Sequence, residues 1–196
     1  MKAKGWLNGA TLLDQWFSRP SSVMPHFGSP DTTTLKMDSW VLTFGRARAV
    51  YDQMVRDKVW MVPPAQRLIT KTLRAKGLIA PRITSFGNLF ALVSMVDADQ
   101  INFRQVSHTD YEKATDPLDD LYAALGAFEI MCAIEADVVP LGTPGKGQMQ
   151  HRVDIKRVGF YVKDKFDFNE DQPLGFWNFE TGDVSRNPLS VATGYH

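Results

Sequence analysis

Read along the chain, hydrophobic positions change period once, and the change divides the sequence. From Trp6 to Leu125 the apolar residues recur mostly at helical spacing. Trp6, Leu7, Ala10, Leu13, Trp16 and Phe17 predict an amphipathic helix over residues 5–17, with Gly9 as its weak point. Residues 18–31, rich in Pro, Ser and Gly, predict a loop that includes His26. Trp40 to Phe44 is a short apolar run, a strand or a helix entry, and Ala47, Val50, Tyr51, Met54 and Val55 then keep helical period. Pro63-Pro64 opens the next helix, Ala65, Leu68, Ile69, Thr72 and Leu73 form its buried stripe, and Gly77 ends it. Leu89 to Val96 fits a strand and a buried helix equally well.

Asp116-Pro117-Leu118-Asp119-Asp120 has the composition of a helix start, with Leu118, Leu121, Tyr122 and Leu125 as the apolar face and Gly126 as the stop. Strict alternation follows. Phe128, Ile130, Cys132, Ile134, Ala136 and Val138 interleave with Glu129, Glu135 and Asp137, predicting a long half-buried strand. Residues 140–147 read as a hairpin loop. Gly142 to Gly147 is too short for a phosphate-binding loop and leads into a strand. The second strand, about residues 149–162, shifts phase: Val153 and Ile155 are odd, Val158, Phe160 and Val162 even. One inserted residue near Lys156-Arg157 explains this, a β-bulge. Leu174 to Phe179 predicts a further strand.

The expected class is therefore α+β, with N-terminal helices packed on a C-terminal antiparallel, curved sheet. We expect a single domain over 1–196, helical to about 126 and β over about 127–180, with a loosely structured tail at 181–196. The 44% hydrophobic and 22% charged content suits a globular domain of this size. One cysteine excludes an internal disulfide framework, and Cys132 falls on the core phase. No apolar run is long enough for a membrane helix. Asn8, Gly9, Asp14 and Gln15 interrupt any signal-peptide core, so synthesis in the cytoplasm is expected. Net charge is zero but uneven: residues 1–98 hold 13 Lys/Arg against 6 Asp/Glu, and residues 99–196 hold 9 against 16. The two halves would complement each other or face solvent; a basic surface for an anionic partner such as lipid headgroups is the sharper reading. Nucleic acid is not expected, since no dense basic cluster or binding motif occurs.

Chemistry concentrates after the second strand. Asp164 and Asp167 stand three apart, followed by Glu170 and Asp171. Carboxylates gathered at a strand end can hold Mg2+ or another divalent cation, which binds substrate phosphates, or act as a base toward water. His151, Arg152, Lys163, Lys165 and Arg186 are the cations available to steady a diphosphate. The same residue types also favour a plain turn. Ser107-His108-Thr109-Asp110 carries little weight, because triads assemble in space.

The helix, Leu125-Gly126-Ala127-Phe128, the hairpin, and Tyr161-Val162-Lys163-Asp164-Lys165-Phe166-Asp167-Phe168-Asn169 together resemble the catalytic region of colicin M-type lipid II-degrading bacteriocins over about residues 117–180. Trp16-Phe17, Leu118 to Phe128 and Tyr161 to Trp177 are similar to motifs of an uncharacterised bacterial family found near type VI secretion genes. The resemblance implies a half-barrel sheet, and an interbacterial toxin or effector acting as a metal-dependent phosphodiesterase on lipid II in the target periplasm. Asp164 and Asp167 would be catalytic and would bind the metal, with His151 and Arg152 stabilising charge. Two departures stand out: Phe166 replaces the motif tyrosine, and Pro173-Leu174 stand where a His-Arg pair follows the motif. The alternative is a non-enzymatic adaptor, chaperone or immunity-type partner of a secretion locus. It would use Phe160, Tyr161, Phe166, Phe168, Phe176, Trp177 and Phe179 as an interface. A third reading is a toxin that works on membranes through its first helix.

Overall fold

A computed structural model of the chain describes residues 1–18, 30–107, 118–142, 149–164, 176–178, 180–181 and 183–185. Its dominant element is a two-stranded antiparallel ladder, β3 (Phe128–Leu141) and β4 (Gln150–Lys163), running from Glu129↔Lys163 to Leu141↔Gln150. Glu135 pairs with Arg157, but Ala136 pairs with Ile155, so Lys156 is the extra residue of a bulge. The insertion keeps Val153, Ile155, Val158, Phe160 and Val162 opposite Val138, Ala136, Ile134, Cys132 and Ile130. Opposed residues share a face, so all five stay in phase with the buried face of β3.

Two short strands lie inside the stretch expected to be helical: β1 (Thr84–Phe86) and β2 (Asn102–Val106). Both pair with β3. A strand has two edges and β4 occupies one along its length. β1, paired over Val138 to Ala136, and β2 therefore share the other edge. The architecture is α+β, with an antiparallel sheet that is open rather than closed into a barrel.

By internal contacts the chain forms two compact units. The first comprises Met1–Arg48, Gln105–Phe128 and Asp164–His196; the second Ala49–Arg104 and Glu129–Lys163.

In the first unit, α1 (Leu7–Phe17) packs on the short α5 (Asp120–Leu125). The crossing is close: a Cβ on Gly9 would lie 2.9 Å from the Ala123 Cβ. Glycine costs helix propensity but admits the neighbouring backbone. The N-cap of α1 is Trp6, which caps nothing with its side chain. Asp120 does so instead, accepting from the Gly9 N–H at 2.8 Å and from the Asn8 N–H and Nδ2 at 3.2 Å. Asp119 caps α5 through the Tyr122 N–H at 2.8 Å and takes the Arg46 guanidinium in a two-pronged pair at 2.6 Å. The helix start expected from Asp116 thus begins at Asp120 with Asp119 as its cap, and Asp116 and Pro117 lie outside the described residues. Trp6 meets Trp177 edge to face at 6.0 Å. Trp177 belongs to β5 (Phe176–Trp177), which pairs with β6 (Val184–Ser185).

Helix α2 (Gly45–Arg56) begins in the first unit and continues into the second, after a 3-10 turn at Val41–Thr43. In the second unit its Tyr51 and the nearby Trp60 meet the Phe160 ring edge to face at 5.2 and 6.2 Å. Helix α3 (Pro63–Ala75) buries Ala65, Ile69 and Leu73 of the expected stripe and leaves its Leu68 and Thr72 half-buried, and the chain turns at Gly77 with φ 65°. Residues 87–91 lie across the sheet face opposite the buried one. Gly87, at φ 76°, sits so close to the Ile134 carbonyl that a Cβ would lie 2.0 Å from its oxygen. Leu89 fills the space above Gly159, and its N–H donates to Glu135 Oε1 at 2.8 Å. Gly159 is paired with Ala133, so two small residues make the notch that receives Leu89. This cover is why β3 is buried on both faces over Met131 to Ala133, where alternation alone implies a half-buried strand.

Candidate functional site

The two ends of β4 hold different chemistry. At its start, the His151 Nε2 lies 3.0 Å from the Ala80 carbonyl oxygen. A carbonyl only accepts, so that nitrogen carries the proton. Arg152 binds Asp154 with two prongs at 2.6 and 2.9 Å and holds that carboxyl below the usual carboxylate range. Each side chain thus has a local partner. His151 and Arg152 pair with Pro140 and Val139, whereas Lys163 pairs with Glu129 at the opposite end. Twelve residues of extended strand separate His151 from Lys163, roughly 40 Å at about 3.3 Å per residue. The strand therefore does not bring His151 and Arg152 to the residue that precedes Asp164.

A different group is gathered at the far end of β4. The Tyr161 hydroxyl donates to Asp97 Oδ1 at 2.8 Å, and the Lys163 ammonium donates to Asp97 Oδ2 at 2.6 Å. Odd positions of one strand share a face, which places the tyrosine and lysine side by side. Asp97 reaches them from α4 (Val93–Ala98). Burial first, and then the Asp97 carboxylate, push the Tyr161 phenol well above its ordinary range, so it stays a hydrogen-bond donor. Lys163 and Asp97 remain part exposed, at 41% and 31% of their side-chain surface. One carboxylate thus holds a phenol and an ammonium where solvent still reaches them.

Asp164, the next residue, is exposed. Asp167 lies outside the described residues, as do Lys165, Phe166, Phe168, Asn169, Glu170, Asp171, Pro173, Leu174, Phe179 and Arg186. Among the described residues no three His, Cys, Asp or Glu side chains are gathered in a way that would hold a metal ion. Cys132 is fully buried in β3 and burial pushes its thiol up to about 12, as its place on the core phase implies.

The Asp97, Tyr161 and Lys163 group was not singled out from the sequence, yet a signal exists. Asp97 is the first acid after Asp57, ending a run of 39 residues without one. A carboxylate that breaks such a run, followed by a polar pair two apart on a strand, merits a search for pairing. Of the expected aromatic surface, Phe160 and Trp177 are committed to ring contacts and Tyr161 to Asp97.

Among the described residues no helix is long and apolar enough to cross a membrane. A family described as "Family of unknown function (DUF6402)" matches the chain over residues 1–193. No curated protein and no solved structure matches the chain.

Proposed function

The chain belongs to the DUF6402 family, and from that premise we propose that it is an interbacterial effector of the type VI secretion kind, acting as a metal-dependent phosphodiesterase on lipid II in the target periplasm. One observation supports the reading most: the long bulged hairpin ends in the Asp97, Tyr161 and Lys163 group immediately before Asp164. Asp164 and Asp167 would supply hard oxygen ligands, which suit Mg2+ or a similar divalent cation completed by water and diphosphate oxygens. When bound, such a cation polarises a phosphoryl oxygen. Lys163, next to Asp164 in the chain, takes the role first given to His151 and Arg152: a fixed positive charge for the diphosphate. Tyr161 donates to Asp97 and keeps that carboxylate, and through it the lysine, in place.

A second reading, a non-enzymatic adaptor, chaperone or immunity-type partner, is favoured by a different observation. Phe90, Leu92 and Met95 are neighbours along the chain and stand exposed; clustered apolar surface marks contact sites.

The discriminating experiment is expression in bacteria with cytoplasmic or periplasmic targeting, wild type beside Asp164→Asn. The enzymatic reading expects growth arrest only in the periplasm, abolished by the substitution at unchanged melting temperature. Equal toxicity of the two proteins, or no toxicity in either compartment, overturns it.

A further inference from the structure

Between Asp57 and Asp97 the chain carries six Lys and Arg residues and no acid. The compact unit that contains this run is the basic one, with 13 Lys/Arg against 8 Asp/Glu; the other has 9 against 14. The compact units therefore carry formal charges of opposite sign, +5 and −5, a smaller difference than between the two sequence halves.

Within the run, α3 is amphipathic in an unusual way. Ala65, Ile69 and Leu73 are buried. Arg67, Lys71 and Arg74 recur at i, i+4 and i+7 on almost the opposite side, and all three are exposed. Among the described residues no carboxylate pairs with them. The helix itself contains no Asp or Glu, so nothing on it screens the stripe.

The same run concentrates exposed apolar side chains. Six of the eleven large hydrophobic residues exposed among the described residues fall within these 39 positions: Met61, Ile79, Ile83, Phe90, Leu92 and Met95. Phe90 is 81% exposed and Leu92 74%. Their outward position is built in. Gly87 against Ile134, Leu89 in the Gly159 notch and the Leu89 N–H on Glu135 pin this stretch of backbone, and the next side chain, Phe90, is left exposed. Arg157, paired with Glu135 Oε2 at 2.9 Å, lies over the Phe90 ring at 5.3 Å.

We propose that residues 58–96 form a surface that docks on an anionic lipid bilayer, the basic stripe meeting headgroups and the projecting apolar side chains entering the interface. An anionic bilayer rewards both features at once: cations through its surface potential and aromatic or aliphatic tips through burial below the headgroups. A nucleic acid would reward the cations, but its phosphates give Leu92, Ile83 and Met95 nothing to bury against. The inference goes beyond the phosphodiesterase reading and does not rest on it.

The test is flotation of the full chain with vesicles of phosphatidylglycerol and phosphatidylcholine, compared with phosphatidylcholine alone. Binding is expected only to the anionic vesicles and should weaken as salt rises. Each cation at such a surface is worth about fivefold in partitioning. Replacing Arg67, Lys71 and Arg74 together by Gln should therefore weaken binding about 100-fold. Replacing Phe90, Leu92 and Met95 by Ser should weaken it by at least about tenfold, with unchanged circular dichroism and melting in both variants. Asp164→Asn should bind vesicles like wild type, which separates this proposal from the catalytic one. No binding to anionic vesicles overturns it. So does binding insensitive to the apolar substitutions, or tighter binding to a DNA or RNA oligonucleotide at the same salt.

Discussion

Asp120→Ala removes a cap that its helix does not own. Helix α1 starts after Trp6, a residue with no side-chain acceptor, so its first N–H groups depend on a carboxylate 111 residues away in sequence. Asp120 satisfies Asn8 and Gly9, the second and third residues of α1, which are the positions an N-cap side chain normally serves. Loss of such a cap costs about 1 kcal/mol. Removing a negative charge from a helix N-terminus costs about 0.5 kcal/mol more. The Gly9 N–H, buried against α5, then loses a charged partner, which adds about 1 kcal/mol. The expected total is about 2–3 kcal/mol, or about 5–10 °C in melting temperature for a chain of this length. Asp120→Asn should recover only part of this, because its NH2 group faces donors. Thermal melting and amide hydrogen exchange check the reasoning together. Protection at Asn8 and Gly9 should fall while amides of β3 keep theirs. A variant that melts within 1 °C of wild type with unchanged exchange at those two amides would refute the capping argument.

Two other perturbations probe the second unit. Gly87→Ala should destabilise by about 3 kcal/mol or more, since alanine resists φ 76° and its Cβ would overlap the Ile134 carbonyl oxygen; denaturant melting checks it, and a loss under 1 kcal/mol would show that residues 87–91 do not lie on β3. Cys132, raised to about 12 by burial, should bear thiolate in roughly one molecule in ten thousand at pH 8, so a thiol reagent should label it only after denaturation; rapid native labelling would place it at the surface.

Much of the fold was legible from residue order alone. The bulge is the clearest case: a phase slip between Ile155 and Val158 can be absorbed only by an extra residue, and Lys156 is that residue. Helices α1, α2 and α3 followed from apolar period, and the core position of Cys132 from alternation. The candidate site was legible only in part. Asp164 directly follows Lys163 in the chain, but the acid that holds Tyr161 and Lys163 is Asp97, from a helix whose apolar run, Leu89 to Val96, was expected to be strand or buried helix. There Leu89 is seated on the sheet and Ala91, Val93 and Val96 are half-buried, while Phe90, Leu92 and Met95 are exposed. Local pattern distinguishes apolar from polar residues, not which of them a crossing backbone will turn inward.

Period and phase along the chain therefore determined the element types, the long hairpin, its bulge and the α+β class, because those depend on neighbours within a few residues. Tertiary structure decided the rest. It made Asp120 the cap of a helix far away, gave β1 and β2 a shared edge of β3, and brought Asp97 to Tyr161 and Lys163. The physical reason is common to all three: a carboxylate, a strand edge or a cation acts on whatever lies within a few ångströms, and sequence separation does not measure that distance.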